Sequence, residues 1–319
     1  MTFASCRPNY FSSDGATWGT TYHIVYDSQR DLSDSIVGMM RMIDATLSKF
    51  NPHSEISDIN SGRADSVSQA FVDVFDLSWS VCSLSGGVFD PTVGPVCELW
   101  GFGRKDFDTI PEEETIQKAL ALVGIRDCSI SGGRVIKKDP GTEFDFSSVA
   151  KGYGIDCIKE MFDRNGVASY MIEIGGEIAA KGYSPRKKPW RIQIDAPIET
   201  EDPSMLHSRL TAINLGPEPE AIATSGNYRN TRRSGNISFG HTISPITGRP
   251  AESKNVSVTI IAPTCALADA VATACMALPG PEEALCLVEK TGVKALIVYS
   301  DQDSVLKIAS SPEFKQLPE

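Results

Sequence analysis

One segment near the carboxyl end of the chain, residues 264–278, constrains the fold more than any other. Its central part, residues 266–274, reads Ala-Leu-Ala-Asp-Ala-Val-Ala-Thr-Ala, and Pro279-Gly280 follows the segment. A helix that is apolar on every face is stable only when neighbouring elements bury it, so the chain must fold around this helix. The length of 319 residues is enough for one large domain or two small ones with such a core.

Asp269 places a negative charge inside this apolar helix, and a nearby positive group or a metal ion must balance it. Asp269 and Thr273 are four residues apart and therefore share a helix face. A buried carboxylate is costly unless it is paired or bound to a metal. A carboxylate beside a hydroxyl suits a hard cation such as Mg²⁺, which completes its shell with water and phosphate oxygens. A salt bridge from Asp269, with Thr273 bonded back to its own helix, explains the same residues, and the pattern alone leaves both interpretations open.

The overall charge excludes several classes of partner. The chain has 30 Lys and Arg against 41 Asp and Glu, which gives a net charge of −11. A uniformly acidic surface repels nucleic acid and anionic lipid, so neither is expected as a general partner. Any phosphate ligand must then be held locally, by a metal, a lysine or backbone N–H groups. The sequence also lacks the glycine-rich dinucleotide and P-loop motifs and the zincin and α/β-hydrolase signatures.

The order of predicted elements favours an α+β fold. Helices and strands mix without a regular βαβ alternation. Residues 14–17 are expected to lie in a mobile stretch, and residues 199–208 are expected to form a surface excursion. The predicted helices cover residues 31–50, 67–84, 111–123, 148–165, 264–278 and 282–290, and the predicted strands cover residues 20–26, 170–174, 177–181, 190–195, 210–215, 256–262 and 295–299.

Four further segments contain residues suited to ligand binding. Residues 145–154 place polar side chains and Lys151 at a strand-to-helix junction, where N–H groups attract anions, although a simple Ser N-cap gives the same pattern. Residues 86–103 are rich in Gly, Pro and aromatic residues and could clamp a flat ring or form a loop packed on itself. Residues 224–230 and 241–250 are the other two segments. In a turn-rich stretch such as 241–250, a lone histidine like His241 is more often structural than catalytic.

Together these five segments resemble the ApbE family, the FAD:protein FMN transferases. The similarity runs from Trp18 to the apolar helix and therefore covers nearly the whole chain. Two positions depart from the family pattern: Trp18 replaces a methionine, and Ser244 replaces an aspartate. The motifs occur in the family's order: G-x-F-D-P-T-V-x-P, D-x-S-x-x-A-K-G, I-G-G-E, S-G-x-Y-R-N, H-x-x-x-P-x-T-G and A-D-A-x-A-T.

The resemblance implies an α+β ApbE-type fold, with mixed or antiparallel sheets, flanking helices and an FAD cleft between two halves. It also implies that a bound Mg²⁺ is held by Asp269, Thr273 and the backbone carbonyl of Ala150. Either His241 or Asp269 would accept a proton during the reaction. The residues expected along the cofactor are Trp18, Phe50, Val88, Phe89, Asp90, Asp145, Ser147, Lys151, His241 and Ile243.

The implied reaction is transfer of FMN from FAD to a threonine hydroxyl of an acceptor protein, with release of AMP. Expected acceptors carry a Gly-Ala-Thr type motif, as in subunits of Na⁺-pumping NADH:quinone reductase or RNF-type electron-transport complexes. Residues 14–17, Asp-Gly-Ala-Thr, resemble such a motif, but Thr17 is expected simply to begin the first strand. Two alternatives remain: an FAD pyrophosphatase that gives FMN and AMP, and a non-enzymatic FAD-binding lipoprotein.

The first eight residues are expected to be a tail, and residues 9–319 a single transferase domain. Residues 3–6, Phe-Ala-Ser-Cys, look like the end of a bacterial lipoprotein signal, in which Cys6 is lipidated. That interpretation puts the protein on the periplasmic face of the inner membrane, held only by a lipid anchor. An arbitrary tail with a stray cysteine explains these four residues equally well. None of the eight cysteines has the spacing of a zinc site, and several lie in apolar helical runs typical of buried free thiols.

Overall fold

The described part of the chain consists of fourteen strands and nine α-helices. The computed structural model describes residues 9–102, 110–197, 208–227, 231–234, 237–240 and 242–315. The strands are β1 (Asn9–Thr17), β2 (Thr20–Ser28), β3 (Ser129–Ser131), β4 (Arg134–Ile136), β5 (Tyr170–Ile174), β6 (Glu177–Lys181), β7 (Trp190–Asp195), β8 (Arg209–Leu215), β9 (Glu220–Gly226), β10 (Thr231–Ser234), β11 (Ile237–Gly240), β12 (Asn255–Ala262), β13 (Lys294–Ser300) and β14 (Leu306–Ser310). The helices are α1 (Ser33–Leu47), α2 (Glu55–Asn60), α3 (Gln69–Leu84), α4 (Gly94–Leu99), α5 (Glu113–Leu120), α6 (Ala150–Arg164), α7 (Cys265–Ala277), α8 (Pro281–Thr291) and α9 (Pro312–Lys315).

A large antiparallel sheet organises these elements. Its eight strands lie in the order β1-β2-β5-β6-β9-β12-β13-β14, and each neighbouring pair is antiparallel. Three two-stranded ribbons, β3-β4, β7-β8 and β10-β11, lie outside it. The helices are interspersed with these strands without a βαβ repeat, and the predicted α+β class is confirmed.

The two faces of the large sheet are covered differently. Alternate residues of β9 show this, because Ala221 and Ala223 pack among helix residues while Ile222 packs on the other side with β7 and β8. Helices α1, α3, α6, α7 and α8 contribute to the cores of the first side. The ribbon β7-β8 and Phe314 of α9 cover the second. The sheet therefore separates a helical layer from a smaller β layer.

The helices begin and end where the local sequence directs. Side-chain oxygens of Ser54, Ser68 and Thr264 accept backbone N–H bonds at the starts of α2, α3 and α7. Helix α8 begins with Pro281 and ends before Gly292, which has φ +67°. These signals place the predicted helix boundaries within about three residues of the observed ones.

Some expectations differ from the structure or lie outside it. Residues 14–17, expected to lie in a mobile stretch, belong to the edge strand β1, so Thr17 ends a strand instead of beginning one. Strand β14 follows the segment predicted to be the last strand. The tail 1–8 and nearly all of the expected excursion 199–208 lie outside the described residues.

Two further observations concern helices and cysteines. Within the ranges given above, no helix is both long enough and apolar enough to cross a membrane. The cysteines of the same ranges are free thiols, and Cys82, Cys265 and Cys275 are buried in helices, as their apolar surroundings predicted.

Candidate active site

A cleft with a volume of about 830 Å³ opens at the start of β6. The neighbouring strand β9 extends beyond its pairing with β6 at this point, and its last residues also line the cleft. This volume is in the range of pockets that bind small molecules. One apolar wall, from the helical side, consists of Phe50, Val88, Phe89, Val93 and Phe102. A second apolar wall, from the sheet and β7, consists of Ile178, Ile192, Ile194 and Ile222.

Helix α7 presents Asp269 and Thr273 to this cleft. The helix is buried on nearly every side, as its composition predicted. Asp269 is only 4% exposed, and its Oδ2 accepts a hydrogen bond from the backbone N–H of Gly152 at 3.4 Å. The Thr273 Oγ1 lies 3.4 Å from the Oγ of Ser225. A carboxylate and a hydroxyl on one helix face therefore meet the same cavity.

Asp145 organises the turn that leads into α6. Its Oδ1 accepts bonds from the N–H and the hydroxyl of Ser147, at 3.0 and 2.6 Å. Its Oδ2 accepts a bond from the Nζ of Lys49 at 2.6 Å, and the Lys49 side chain is almost fully buried. Burial alone would lower the pKa of Lys49, but the attraction of Asp145 outweighs it and raises that pKa. The pair ties the end of α1 to the start of α6.

In the first turn of α6, the ammonium group of Lys151 is paired with the buried Glu177 and attracts the buried carboxylate of Asp269 without contacting it. Lys151 forms a short ion pair with Oε1 of Glu177, while Oε2 of Glu177 has no hydrogen-bond donor among the described residues. Burial raises the pKa of Glu177, and the attraction of Lys151 offsets this only in part. Burial and repulsion from Glu177 likewise raise the pKa of Asp269. When both carboxylates are ionised, the cluster has an excess of negative charge.

A tight turn fixes the position of Glu177. Gly175 and Gly176, with φ +64° and +100°, form a two-residue connection between β5 and β6. Such turns need positive φ at both central residues, which glycine adopts without strain. Ile174 pairs with Glu177 across the turn, so Glu177 is held as the first residue of β6.

The charge distribution fits the Mg²⁺ that the resemblance implies. Two buried carboxylates with one lysine, and one carboxylate oxygen without a donor, leave a deficit of positive charge that a divalent cation would remove. No group of three His, Cys, Asp or Glu side chains in the described ranges is arranged so that it could hold a metal ion by itself. The oxygens of Asp269 and Thr273 are donors of the kind that Mg²⁺ accepts, since it keeps several waters and substrate phosphates in its shell.

Comparisons with known proteins agree with this architecture. The profile of the ApbE family matches residues 18–297. The chain belongs to the ApbE family. The family membership that the motifs suggested is therefore confirmed, and with it the class of enzyme, a transferase.

Curated relatives and solved structures of this family are similar along most of their lengths. An FAD:protein FMN transferase of Vibrio cholerae is 34% identical over 307 residues, which covers 93% of this chain and 90% of the relative. One of Escherichia coli strain K12 is 32% identical over 315 residues, covering 95% and 87%. The structure of the flavin transferase ApbE from Vibrio cholerae superposes with a TM-score of 0.86 at 31% identity, covering 98% and 100%. The apo flavinyl transferase ApbE of Pseudomonas stutzeri gives 0.84 at 30% identity, with 97% of each chain covered.

The cleft of this ApbE-family chain brings together most of the residues that the sequence predicted. Ala150 is the first residue of α6, between the cleft residues Ser148 and Lys151. His241 lies outside the described residues. The predicted residues that line the cleft are Phe50, Val88, Phe89, Asp90, Asp145, Ser147, Lys151, Ile243, Asp269 and Thr273.

Asp90 lines the cleft, but its carboxylate is engaged within the protein. Its Oδ1 accepts bonds from the N–H and hydroxyl of Thr92, at 2.9 and 2.6 Å, and its Oδ2 accepts one from the N–H of Ile125 at 3.1 Å. Asp90 therefore fixes the shape of the loop that carries Val88 and Phe89. Its contribution to the cleft is to support these apolar neighbours.

Trp18, which the resemblance placed along the cofactor rings, is not among the residues that line the cleft. It occupies the turn between β1 and β2, where it has φ +49°. Its indole N–H donates to the carbonyl of Met40 at 3.2 Å, and its ring fills the space beside Gly154 that a Cβ would need. The ring is held between α1 and α6 because this packing satisfies both its apolar surface and its N–H group.

Replacing Trp18 by Ala should therefore reduce stability and leave FAD affinity nearly unchanged. Loss of a packed Trp side chain destabilises a protein by about 3 kcal/mol. Urea denaturation should show this loss, while fluorescence titration should give an FAD dissociation constant within about a factor of two of wild type, well below the change expected on losing a stacked ring. A tenfold weaker FAD complex with wild-type stability would instead place the ring on the cofactor.

Lys49 and Glu177 are cleft residues to which the sequence assigned no role. Lys49 follows the end of α1, and its partner Asp145 is 96 positions away, so no local signal marks it. Glu177 did have a signal. A charged residue directly after two glycines and before the apolar residues 178–180 is unusual and points to a site.

Proposed function

We propose that this protein is a Mg²⁺-dependent FAD:protein FMN transferase that attaches FMN through a phosphoester to a threonine of an acceptor protein and releases AMP. The observation that carries the proposal is the joining, in one cleft, of two apolar walls and a buried charged cluster. FAD has two ring systems joined by a pyrophosphate, so it matches this combination. The names of the similar transferases support the same substrate.

In this proposal the protein's own groups bind and orient the dinucleotide. The ammonium of Lys151 and the first turn of α6 supply positive charge to the pyrophosphate. Asp269, Thr273 and the carbonyl of Ala150 would hold Mg²⁺, which neutralises phosphate charge when bound. Phe50, Val88 and Phe89 offer an apolar surface to a ring.

The reaction is a substitution at the phosphorus of the FMN half. The threonine oxygen of the acceptor forms a new O–P bond, the bond to the AMP phosphate breaks, and AMP leaves with the bonding electron pair. The hydroxyl proton passes to a base, for which His241 and Asp269 are the candidates. Catalysis in this scheme rests on positioning and electrostatics, without a covalent bond to the enzyme.

One assay tests the proposal against its two alternatives. Purified protein is incubated with FAD, Mg²⁺ and a candidate acceptor with a Gly-Ala-Thr type motif, such as a subunit of Na⁺-pumping NADH:quinone reductase or of an RNF-type complex. Flavin fluorescence on the denatured acceptor together with AMP release is the expected result. AMP without labelled protein would indicate an FAD pyrophosphatase, and neither product would indicate an FAD-binding lipoprotein. An acceptor with Val in place of the threonine is the control.

We also propose that the protein acts at the periplasmic face of the inner membrane through a lipid on Cys6. The support is the sequence Phe-Ala-Ser-Cys of residues 3–6. Expression of the gene with a lipoprotein signal and labelled palmitate should give a labelled protein that fractionates with the inner membrane. Label that persists after Cys6→Ser would contradict the anchor.

A further inference from the structure

Helices α6 and α7 are joined by a carboxylate that does not line the cleft. Asp156 of α6 is 9% exposed, and its two oxygens accept bonds from the backbone N–H groups of Cys265 and Ala266, each at 2.8 Å. These are the first two residues of α7, whose N–H groups have no partner within their own helix. Asp156 thus satisfies two donors at the start of α7 with a residue from another helix.

A second bond runs between the same helices in the other direction. The N–H of Gly152, in the first turn of α6, donates to Oδ2 of Asp269 on α7. The helices are in close contact here, since a Cβ at Gly152 would lie 2.5 Å from the carbonyl oxygen of Cys265. Each helix therefore offers a carboxylate to backbone donors of the other, and the two attachments lie about one turn apart along both helices.

These contacts between α6 and α7 connect the two helices that contain the candidate metal donors. Ala150 and Lys151 belong to the first turn of α6, and Asp269 and Thr273 belong to α7. Two bonds from one rigid carboxylate to consecutive N–H groups restrict both sliding and rotation of α7 against α6. A shift of about 1 Å between metal donors is enough to weaken a site of fixed geometry.

We propose that Asp156 is a positioning residue for the Mg²⁺ and phosphate site, acting by holding the start of α7 against α6. The proposal rests on the proposed function for the identity of the site's occupant. It assigns Asp156 no contact with FAD or with the metal. Its role is comparable to that of outer-shell residues, whose loss commonly weakens metal affinity 10- to 100-fold.

The structure offers a matched control for the loss of such a carboxylate. Asp27 of β2 is 8% exposed and accepts bonds from the consecutive N–H groups of Ala168 and Ser169, at 2.9 and 2.8 Å. It is not among the residues that line the cleft. Asp27→Ala and Asp156→Ala therefore each remove a buried carboxylate that accepts two backbone N–H bonds, through one oxygen in Asp27 and through both in Asp156, and they should lower the melting temperature by similar amounts.

The test is Mn²⁺ binding, measured by the electron paramagnetic resonance signal of free Mn²⁺ without FAD or acceptor. We expect Asp156→Ala to bind Mn²⁺ at least about 10-fold more weakly than wild type, and Asp27→Ala to bind it with wild-type affinity. Asp156→Asn, which keeps one acceptor oxygen, should fold if the Ala variant does not and should show an intermediate loss. FMN transfer by Asp156→Asn should regain its rate at high Mg²⁺.

The outcomes separate this proposal from the proposed function. Mn²⁺ affinity equal to wild type in both Asp156 variants would overturn the role of Asp156 alone. Equal weakening in the Asp27 and Asp156 variants would also overturn it, because the effect would then follow stability alone. Absence of Mn²⁺ binding by wild type would overturn the metal site itself and, with it, this role of Asp156.

Discussion

Asp269→Asn should abolish FMN transfer, with a fall in rate of about 1,000-fold or more, while the protein remains folded. The change removes the carboxylate that the proposed function assigns to Mg²⁺ and keeps the shape of the side chain. A metal that neutralises phosphate charge contributes several kcal/mol to the transition state, which corresponds to this factor. In-gel flavin fluorescence and AMP release over a range of Mg²⁺ concentrations measure the effect.

The stability of the same variant is the informative control. Replacing one of two neighbouring buried carboxylates relieves repulsion, so the melting temperature of metal-free Asp269→Asn should be equal to or above that of wild type. Mn²⁺ should no longer raise that temperature, as it should in wild type. Transfer at an undiminished rate would show that Asp269 is neither a metal ligand nor the base.

Gly152→Ala should destabilise the protein by about 3 kcal/mol and weaken metal binding as well. The added methyl group would lie 2.5 Å from the carbonyl oxygen of Cys265. The methyl carbon is bonded directly to the backbone of α6 and the oxygen belongs to the backbone of α7, so neither can rotate away as a flexible side chain would. Overpacking of this kind forces elements apart, at a cost of up to about 3 kcal/mol. Separation of α6 from α7 also moves Lys151 away from Asp269. Urea denaturation and Mn²⁺ titration measure the two effects.

Gly38→Ala, the same substitution at another helical glycine, should raise the stability of the protein instead of lowering it. Gly38 lies in α1, is exposed, and has no atom within 4 Å of an added Cβ. Alanine is the better helix former by about 1 kcal/mol, so this variant should be more stable than wild type. A Gly152→Ala variant as stable as Gly38→Ala would mean that the contact between the two helices is loose.

Helix and strand positions were predictable wherever periodicity and end signals coincide. Helix α7 was recognised because apolar residues occupy all its faces and Pro279 follows it, and β6 was recognised from its apolar run. Strand β1 was missed because its sequence is rich in Ser, Asp, Asn and Gly, residues typical of loops. It is ordered by pairing with β2 along its whole length, a tertiary effect without a local signal.

The sequence predicted several residues of the candidate site, but not the contacts that join them. Motifs indicated Asp145, Lys151 and Asp269, and the structure brings all three to one cleft. Lys49 pairs with Asp145 and Glu177 pairs with Lys151, and both contacts join segments that are distant in the sequence. A single sequence gives no local signal for such a pairing. The orientation of the Trp18 ring could not be predicted from the sequence either, because it depends on a turn with positive φ and on the space left by Gly154.

The cross-links between α6 and α7 also bear on how the chain reaches its active form. Asp156 and Cys265 are 109 positions apart, and Gly152 and Asp269 are 117 apart, so both links close loops of more than one hundred residues. Contacts at such separations form late, because the entropy of loop closure is lost before they are gained. A nascent chain that lacks its last quarter has neither Asp269 nor the surface against which α6 packs. The cleft that the proposed function assigns to FAD is therefore complete only after this last part of the chain has been synthesised.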